Sequence, residues 1–311
     1  MFSSPRGNPL NHTPKTHPTR NSKATHSKPI VKSPSILLQE GGHGAVFKES
    51  VNNTDVAIKK PHNPTSIHRW EGEVKLHAQL SHPNIVRFIT YDLNIQTLTL
   101  EFIDGGDLLD TLKFHPLTWN NKNTILKGVM EAVHYLHTKR ILHRDLKPDN
   151  VLIQWQNHQC TAKICDFGYA IQLSDDDNSI QDDTLGATIY LAPEVLKNGL
   201  YSEKSDIYAA AAMIGYALAT KVPLFDTLSK IDLLFLKNNQ AYLAYKLNHH
   251  RETGIQISEK LIEVITAANH PNPHNRPTAT QLLNFPLFNE PKDTVEALVE
   301  PNIGSPERTF Y

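Results

Sequence analysis

The chain has 311 residues, of which 39% are hydrophobic, and its formal net charge is −1. This length and apolar content allow one or two domains with a full core, while the balanced charge gives no reason to expect nucleic acid or an anionic membrane as a partner. The two cysteines, Cys160 and Cys165, exclude a disulfide framework and a zinc site and favour a reducing compartment. The longest apolar run, residues 207–219, is shorter than the roughly 20 residues of a bilayer span.

Residues 1–35 are predicted to be a disordered basic segment. They carry six Lys or Arg residues, no acid and few apolar side chains, so burial cannot offset the entropy of ordering them. A solvated tail is the favoured interpretation. The alternatives are a basic arm for acidic partners, or phosphorylation at Ser4, Thr13 or Ser33. We expect no secretory signal, because the N-terminus lacks an apolar segment, and residues 289–311 are predicted to be a flexible tail.

The pattern from residue 36 onward predicts a β-rich region with one helix. Short apolar runs predict strands over residues 36–38, 45–47 and 56–58, with a turn at Asn52-Asn53. A helix is predicted from about Pro64, because apolar or large side chains recur there at steps of four and three: Trp70, Val74, His77 and Leu80. Two further strands are predicted, over residues 85–91 and 97–102.

A hinge and a mainly helical region are predicted to follow. Asp104-Gly105-Gly106 interrupts the strand pattern, which is typical of a connection between lobes. Beyond it, one apolar stripe predicts a long helix, and residues 205–220 are apolar on nearly all sides, as in a helix at a domain centre. The predicted fold class is therefore α+β, with a small β-rich lobe, a hinge and a larger helical lobe.

The most polar stretch of the second region is His143-Arg144-Asp145-Leu146-Lys147-Pro148-Asp149-Asn150. It is enclosed by apolar segments on both sides, so an idle surface loop is a poor interpretation. A carboxylate, an ammonium and an amide can converge on one point there, and those groups suit phosphate and metal chemistry. A second acidic triplet, Asp166-Phe167-Gly168, follows after a predicted strand pair.

Further motifs accompany this stretch. A glycine-rich segment, Glu40-Gly41-Gly42-His43-Gly44-Ala45-Val46, stands between the first two strands, and glycines let backbone N–H groups approach phosphates closely. Together the motifs resemble the protein kinase family over roughly residues 36–288. They occur in the family's order: Gly41-x-x-Gly44-x-Val46, Val56-Ala57-Ile58-Lys59, Glu73, His82-Pro83-Asn84-Ile85-Val86, residues 143–150, Asp166-Phe167-Gly168, Ala192-Pro193-Glu194, Ser205-Asp206-Ile207-Tyr208 and Asn275-Arg276-Pro277.

The resemblance implies a bilobal protein kinase fold, with a small lobe over residues 36–101, a hinge over 102–107 and a large lobe over 108–288. It implies that Asp145 is the catalytic base and that Lys147 neutralises the transferred phosphoryl group. Asn150 and Asp166 are implied as ligands of Mg²⁺, with Mn²⁺ as an alternative. Lys59, held by Glu73, is implied to bind the α- and β-phosphates of ATP.

The same resemblance implies a nucleotide pocket. Adenine is expected between Val46 and Ala57 above and Leu152 below. The full set of implied nucleotide contacts is Gly41, Gly42, His43, Gly44, Val46, Ala57, Lys59, Glu101, Ile103, Asp107 and Leu152, with Leu100 at the back of the pocket and Asp107 near the ribose. Glu194 and Arg276 are expected to form a structural pair, and Asp206 is expected to hold the catalytic loop. Cys165 is interpreted as a small buried residue.

The implied activity is transfer of the γ-phosphoryl group of ATP to protein Ser or Thr hydroxyls, because Lys147 and Pro148 follow Asp145 as in Ser/Thr kinases. Autophosphorylation is expected, and the alternative is a pseudokinase that binds nucleotide as a scaffold. The implied partners are protein substrates, with a plausible monomer. The expected location is the cytoplasm, or a host cytoplasm if the source is a pathogen.

Three positions depart from the family pattern. Gln39 replaces the first glycine of the phosphate loop, and we expect altered nucleotide affinity. His77 stands where the family has an apolar residue, so it needs a backbone partner or the helix is held less firmly. Ala187 replaces a Thr whose hydroxyl contacts the catalytic Asp and Lys in the family, and Thr188 is a possible substitute.

The segment between Asp166 and Glu194 is acidic, with aspartates at 175, 176, 177, 182 and 183. Arg144 implies a basic pocket that receives a phosphate from this segment. Three interpretations stay open: the aspartates are merely solvated, which is narrowly favoured; Asp182 or Asp183 fills the pocket; or Thr184 or Ser179 is phosphorylated.

Overall fold

The computed structural model describes residues 34–41, 44–62, 67–157, 159–183, 187–225 and 229–289. Of the predicted terminal tails (residues 1–35 and 289–311), only residues 34, 35 and 289 are described, and Gly42, His43 and Thr184 also lie outside the described residues.

The first lobe is built on a five-stranded antiparallel sheet in the order β1-β2-β3-β5-β4. Its members are β1 (Ile36–Gly41), β2 (Gly44–Val51), β3 (Thr54–Lys60), β4 (Phe88–Asp92) and β5 (Thr97–Glu101), and its helix is α1 (Ile67–His77). Asn52 and Asn53 connect β2 to β3 with positive φ, as the predicted turn requires. The lobe has its own small apolar core: Trp70, Val74, Val86, Leu98, Leu100 and Ile103.

The prediction of a strand from residue 85 is wrong, since β4 begins only at Phe88. The backbone before it pairs elsewhere: the Val86 N–H donates to the Ile164 carbonyl over 2.9 Å, and Ile164 N–H donates to Asn84 O over 2.8 Å. These bonds tie the small lobe to the strand that precedes Asp166.

The predicted hinge lies between β5 and α2 (Leu108–Phe114). A Cβ at Gly105 would lie 2.0 Å from the Ile153 carbonyl oxygen, so only glycine allows the hinge to pass this strand so closely. Ile153 belongs to β7 (Val151–Gln156), which pairs with β8 (Gln159–Ile164).

The second lobe is centred on α3 (Trp119–Thr138), whose predicted stripe of Ile125, Val129, Val133 and Leu136 is buried. Thr118 caps this helix through a capping box with Asn121. The apolar segment predicted as a central helix runs through α5 (Glu203–Ile207), a π-helical stretch (Tyr208–Ile214) and α6 (Gly215–Thr220), buried throughout from Ser205.

The remaining elements complete this lobe. They are β6 (Ile141–Leu142), β9 (Ile171–Gln172), β10 (Ser179–Gln181), α4 (Pro193–Asn198), β11 (Leu200–Ser202), α7 (Lys230–Lys237), α8 (Gln240–Glu252), α9 (Glu259–Ala268), α10 (Ala279–Leu283) and α11 (Pro286–Asn289). The predicted α+β bilobal fold is therefore confirmed. Among the described residues, no helix combines the length and apolar character that a membrane crossing needs.

Candidate active site

The polar stretch 143–150 lies between β6 and β7, and its backbone is held by the side chain of Asp206. This buried carboxylate accepts the backbone N–H groups of His143 (2.9 Å) and Arg144 (3.0 Å), and its Oδ2 lies 3.2 Å from Nε2 of His137. Burial opposes its charge, but the hydrogen bond from His137 and these other contacts outweigh burial and lower the pKa of Asp206. Arg144 adopts φ +67°, a left-handed conformation that these bonds stabilise.

Three predicted groups converge within the stretch. Asn150 donates from Nδ2 to Oδ2 of Asp145 over 2.9 Å and to its carbonyl over 2.7 Å. Lys147 Nζ lies 3.0 Å from the same Asp145 Oδ2. Burial opposes the charge of Lys147, yet the Asp145 carboxylate raises the pKa of Lys147. The carboxylate of Asp145 and the side-chain nitrogen of Lys147 therefore stand side by side at the cleft.

A second charged group bridges the two lobes. Lys59 Nζ, at the end of β3, lies 2.5 Å from Glu73 Oε1 on α1 and 2.8 Å from Asp166 Oδ1. Burial disfavours the ammonium, but the two carboxylates outweigh burial and raise the pKa of Lys59. The predicted pairing of Lys59 with Glu73 is present, and α1 is drawn toward the cleft by it.

The residues implied as metal ligands suit a hard divalent cation. Asp166 has φ +60° and accepts the Gly168 N–H over 3.2 Å, and its side chain is 28% exposed. The Asn150 side-chain nitrogen donates to Asp145, which leaves the amide oxygen as the donor for a metal. One carboxylate and one amide oxygen are the sparse protein ligands that Mg²⁺ takes when phosphates and waters complete its shell.

The glycine segment is described on either side of its tip. Gly41 ends β1 and pairs with Gly44, which has φ +151° and whose Cβ would lie 2.2 Å from the Lys60 carbonyl oxygen. Only glycine fits at Gly44. Val46 stands opposite both Gln39 and Lys59, so the departure at Gln39 lies on the strand next to the predicted phosphate site.

Three of the implied adenine contacts gather at the small core. Ile103 and Leu100 belong to that core, and Ala57, Leu152 and the partly buried Cys165 pack against it. Burial raises the pKa of the Cys165 thiol well above its usual range.

Two polar residues predicted to contact the nucleotide, Glu101 through its backbone and Asp107 near the ribose, have side-chain partners within the chain. The Asp107 Oδ1 accepts the Asp110 N–H over 2.8 Å and caps α2, and the Glu101 Oε1 pairs with Lys163 Nζ at 2.7 Å. Contacts of Asp107 and Glu101 with a nucleotide stay predictions.

The departures at His77 and Ala187 have different outcomes. His77 is buried, with Nε2 2.7 Å from the Val86 carbonyl, and its ring centroid lies 4.7 Å from that of Phe167. The expected backbone partner is therefore present. Ala187 lines a small cavity of about 10 Å³ with Asp145, whereas Thr188 is exposed and does not line that cavity.

Arg144 connects the acidic segment to the stretch 143–150. Arg144 Nη1 lies 2.6 Å from Oδ2 of Asp182, its Nε donates to the Tyr169 carbonyl over 2.6 Å, and its guanidinium covers the Tyr201 ring. The narrowly favoured interpretation, merely solvated aspartates, is wrong for Asp182, whereas Asp183 is exposed.

Arg276 and Glu194 form the predicted structural pair. The guanidinium makes two parallel bonds to the carboxylate, of 2.6 and 2.8 Å, and its side chain is 0% exposed. Arg276 also donates to the carbonyls of His270 (2.7 Å) and Lys204 (3.0 Å). This pair fixes α4, which follows the acidic segment.

Sequence reasoning missed His137 and Lys163. His137 orients Asp206, and Lys163 holds the side chain of Glu101 at the hinge. Neither had a usable signal, because one was among 17 scattered histidines and the other was a single lysine in a strand.

Known protein kinases resemble this chain in sequence over most of its length. The profile of the protein kinase domain family matches residues 36–288. A probable serine/threonine-protein kinase of Dictyostelium discoideum, mkcE, is 28% identical over 259 residues, which cover 80% of this chain and 35% of that protein. Mitogen-activated protein kinase kinase kinase 13-A of Xenopus laevis is 30% identical over 283 residues, covering 88% of this chain and 26% of that protein.

The serine/threonine-protein kinase PLK4 of Drosophila willistoni is 29% identical over 268 residues, covering 82% of this chain and 32% of that protein. The chain thus spans roughly a third or less of the length of these three relatives. The family profile covers most of the chain, including every described site residue above. The chain belongs to the protein kinase domain family.

Proposed function

We propose that this chain is a serine/threonine protein kinase that moves the γ-phosphoryl group of ATP to protein hydroxyls. One observation carries the proposal. Lys59 contacts Glu73 at 2.5 Å and Asp166 at 2.8 Å, so the lysine of the small lobe meets the acidic triplet of the large lobe. A scaffold that only binds nucleotide does not require this bridge and the convergence of Asp145, Lys147 and Asn150.

In this proposal Asp145 orients the acceptor hydroxyl and takes its proton as the new P–O bond forms and the bond to the leaving ADP oxygen breaks. Its buried carboxylate is held by Asn150 and Lys147, so it cannot turn away from the cleft. Fixed geometry of this kind is the main contribution a protein makes to phosphoryl transfer.

The cations have separate tasks. Lys59 binds the α- and β-phosphates, and Lys147 neutralises charge on the transferred group. Asn150 and Asp166 would hold the divalent ion, for which we propose Mg²⁺ in preference to Mn²⁺; when bound, it neutralises phosphate charge and orients the phosphates. Adenine is proposed between Val46, Ala57 and Leu152, with hydrogen bonds to the backbone of Glu101 and Ile103.

The acceptor type rests on two supports. Lys147 stands two residues after Asp145, with Pro148 next to it. Two of the relatives above are named as serine/threonine-protein kinases. We propose protein Ser and Thr side chains as acceptors, including residues of the chain itself.

The test is transfer of radiolabel from ATP to a generic basic protein, with Mg²⁺ or Mn²⁺. Asp145→Asn should lower the rate by about 10²–10⁴-fold, as expected for loss of a general base. Asp175→Asn, an exposed aspartate of the acidic segment, is the control and should transfer label normally. Nucleotide binding without transfer in the unaltered protein would support the scaffold alternative instead.

We also propose that Asp182 occupies the place that a phosphate would take beside Arg144. Its carboxylate already pairs with the guanidinium at 2.6 Å, so the chain needs no modification to neutralise that cation. Phosphatase-treated protein and a Thr184→Ala variant should both keep their activity, with mass spectrometry to establish the phosphate content. An inactive Thr184→Ala variant would contradict this regulation without affecting the proposed activity.

A further inference from the structure

A lysine that the proposed chemistry does not use is buried behind the acidic segment. Lys237 is the last residue of α7, and its side chain is 1% exposed. Its Nζ lies 4.1 Å from the ring centroid of Phe225 and 5.0 Å from that of Tyr208. The other cation on Tyr208 is Arg276, 4.9 Å from the centroid.

This position is costly for an amine. Among the described residues no carboxylate forms an ion pair with Lys237, and burial, reinforced by the nearby Arg276, lowers the pKa of Lys237 well below its ordinary value. The aromatic rings offset part of the cost if the amine is charged. An apolar side chain of the same length would avoid the cost, so the amine has to be explained by what it contacts.

The polar contact of this amine is the Ile189 carbonyl, to which Nζ donates over 2.8 Å. A charged or a neutral amine can make this bond, because both carry N–H groups. Ile189 is 48 residues away and belongs to the segment 187–192 that leads into α4. Lys237 therefore joins α7 to this segment directly.

The segment 187–192 lies against the proposed base. Ala187, Tyr190 and Leu191 line the small cavity that also contains Asp145. Its backbone forms two successive turns, from Tyr190 N–H to Ala187 O (2.9 Å) and from Leu191 N–H to Thr188 O (3.3 Å). Since Ile189 lies inside both turns, a shift of its carbonyl moves the surface next to Asp145.

We propose that Lys237 is a positioning residue for the protein acceptor: from α7 it fixes the segment 187–192 relative to Asp145. The inference rests on the proposed kinase function and adds a determinant of acceptor recognition to it. The nucleotide contacts lie on other elements, so ATP binding is independent of Lys237.

The kinetic test compares Lys237→Met with Lys230→Met. Both variants remove an amine from α7, but Lys230 is exposed at the start of the helix and does not contact Ile189. Loss of one hydrogen bond to an amine should raise KM for the acceptor protein about tenfold in Lys237→Met and leave KM for ATP unchanged. The thermal midpoint should stay the same or rise, because a buried amine is removed.

A second measurement does not depend on catalysis. Hydrogen exchange of the Tyr190 and Leu191 amides should be about tenfold faster in Lys237→Met than in the unaltered protein or Lys230→Met. If Lys237→Met does not fold, Lys237→Gln, too short to reach the carbonyl, takes its place in both tests.

The outcomes separate the two proposals. No label transfer by the unaltered protein would refute the kinase function, while exchange would still decide whether Lys237 holds the segment. Unchanged exchange, or equal changes in the KM for ATP and for the acceptor, would overturn the positioning role.

Discussion

Two of the arginine–carboxylate pairs that hold the acidic segment, one inside it at Asp182 and one at its end at Glu194, are built differently. Arg276 meets Glu194 through two bonds, has a side chain that is 0% exposed and donates to surrounding carbonyls as well. Arg144 Nη1 lies 2.6 Å from Asp182 Oδ2, and the Asp182 side chain is 29% exposed.

The difference distinguishes a fixed structural pair, Arg276–Glu194, from an adjustable pair, Arg144–Asp182. A bidentate pair whose guanidinium is fully buried cannot be opened without leaving a charge in the core, so it is permanent in the folded chain. An ion pair whose carboxylate lies at the solvent boundary can be exchanged at small cost. The adjustable pair is the one next to Asp145, and the permanent pair lies beyond the segment.

The largest expected effect follows from breaking the permanent pair, Arg276–Glu194. Arg276→Met leaves Glu194 buried without its cation and should lower the free energy of unfolding by about 3–5 kcal/mol, measured with urea. The control is Arg251→Met, which breaks the exposed Arg251–Glu259 pair and should cost about 1 kcal/mol or less. Equal losses in the two variants would contradict the distinction between the pairs.

His77 is another buried ionisable group, and it avoids the cost of a buried charge by staying neutral. Burial lowers the pKa of His77 from 6.5 to about 4, with Lys59 adding to the effect, while the Val86 carbonyl opposes it. Below pH 6.5 the unfolded chain takes up a proton that the folded chain does not. The stability from neutral His77 is therefore complete above about pH 6.5 and is lost as pH falls toward 4.

The shift corresponds to about 3 kcal/mol in the free energy of unfolding. His77→Leu removes this term, so the difference in stability between the two proteins should move by about that amount in favour of the variant between pH 7 and pH 4. Urea unfolding at a series of pH values measures it. A difference that does not change with pH would show that His77 titrates normally.

The adjustable pair should affect rate more than stability. Asp182→Asn removes the charge beside Arg144, and kcat should fall about tenfold while the free energy of unfolding changes by about 1 kcal/mol or less. Asp183→Asn, one residue further and exposed, is the matched control and should keep the kcat of the unaltered protein. A normal kcat in Asp182→Asn would remove Asp182 from the catalytic arrangement.

The smallest expected effect is the dependence of kcat on salt concentration. Since mobile ions screen exposed charges more than buried ones, raising salt from about 0.05 to 0.5 M should lower kcat of the unaltered protein about twofold more than that of Asp182→Asn. The same range of salt should leave the stability difference between Arg276→Met and the unaltered protein unchanged. Parallel salt curves for kcat would show that Asp182 is not screened.

Much of the fold could be predicted from periodicity and turn chemistry. The short apolar runs of the first three strands and the stripe of α3 are local signals, and the structure has these elements where the patterns placed them. The strand at residue 85 could not be predicted correctly, because its backbone bonds go to Ile164, 78 residues away in the case of Val86. Tertiary pairing overrode local propensity there.

The site residues likewise fall into those that the sequence could predict and those that it could not. Lys59, Asp145, Asn150 and Asp166 lie in recognisable motifs, so sequence could identify them. The contact of Asp182 with Arg144 depends on the pairing of β10 with β11, in which Ser179–Gln181 lies opposite Leu200–Ser202. No local pattern reports that register. Lys237 resembles an ordinary cation at a helix end, and only the packing of α7 reveals that it is buried.

His77 also makes the wall beside Phe167 polar at one atom. Its Nε2 is engaged with the Val86 carbonyl as a donor, so in the neutral ring Nδ1 is an acceptor, and among the described residues it has no partner. Because Nδ1 is buried, a ligand would reach it only if the surrounding side chains moved. Such a ligand would gain a hydrogen bond by presenting an N–H, whereas an apolar group would leave the acceptor unpaired.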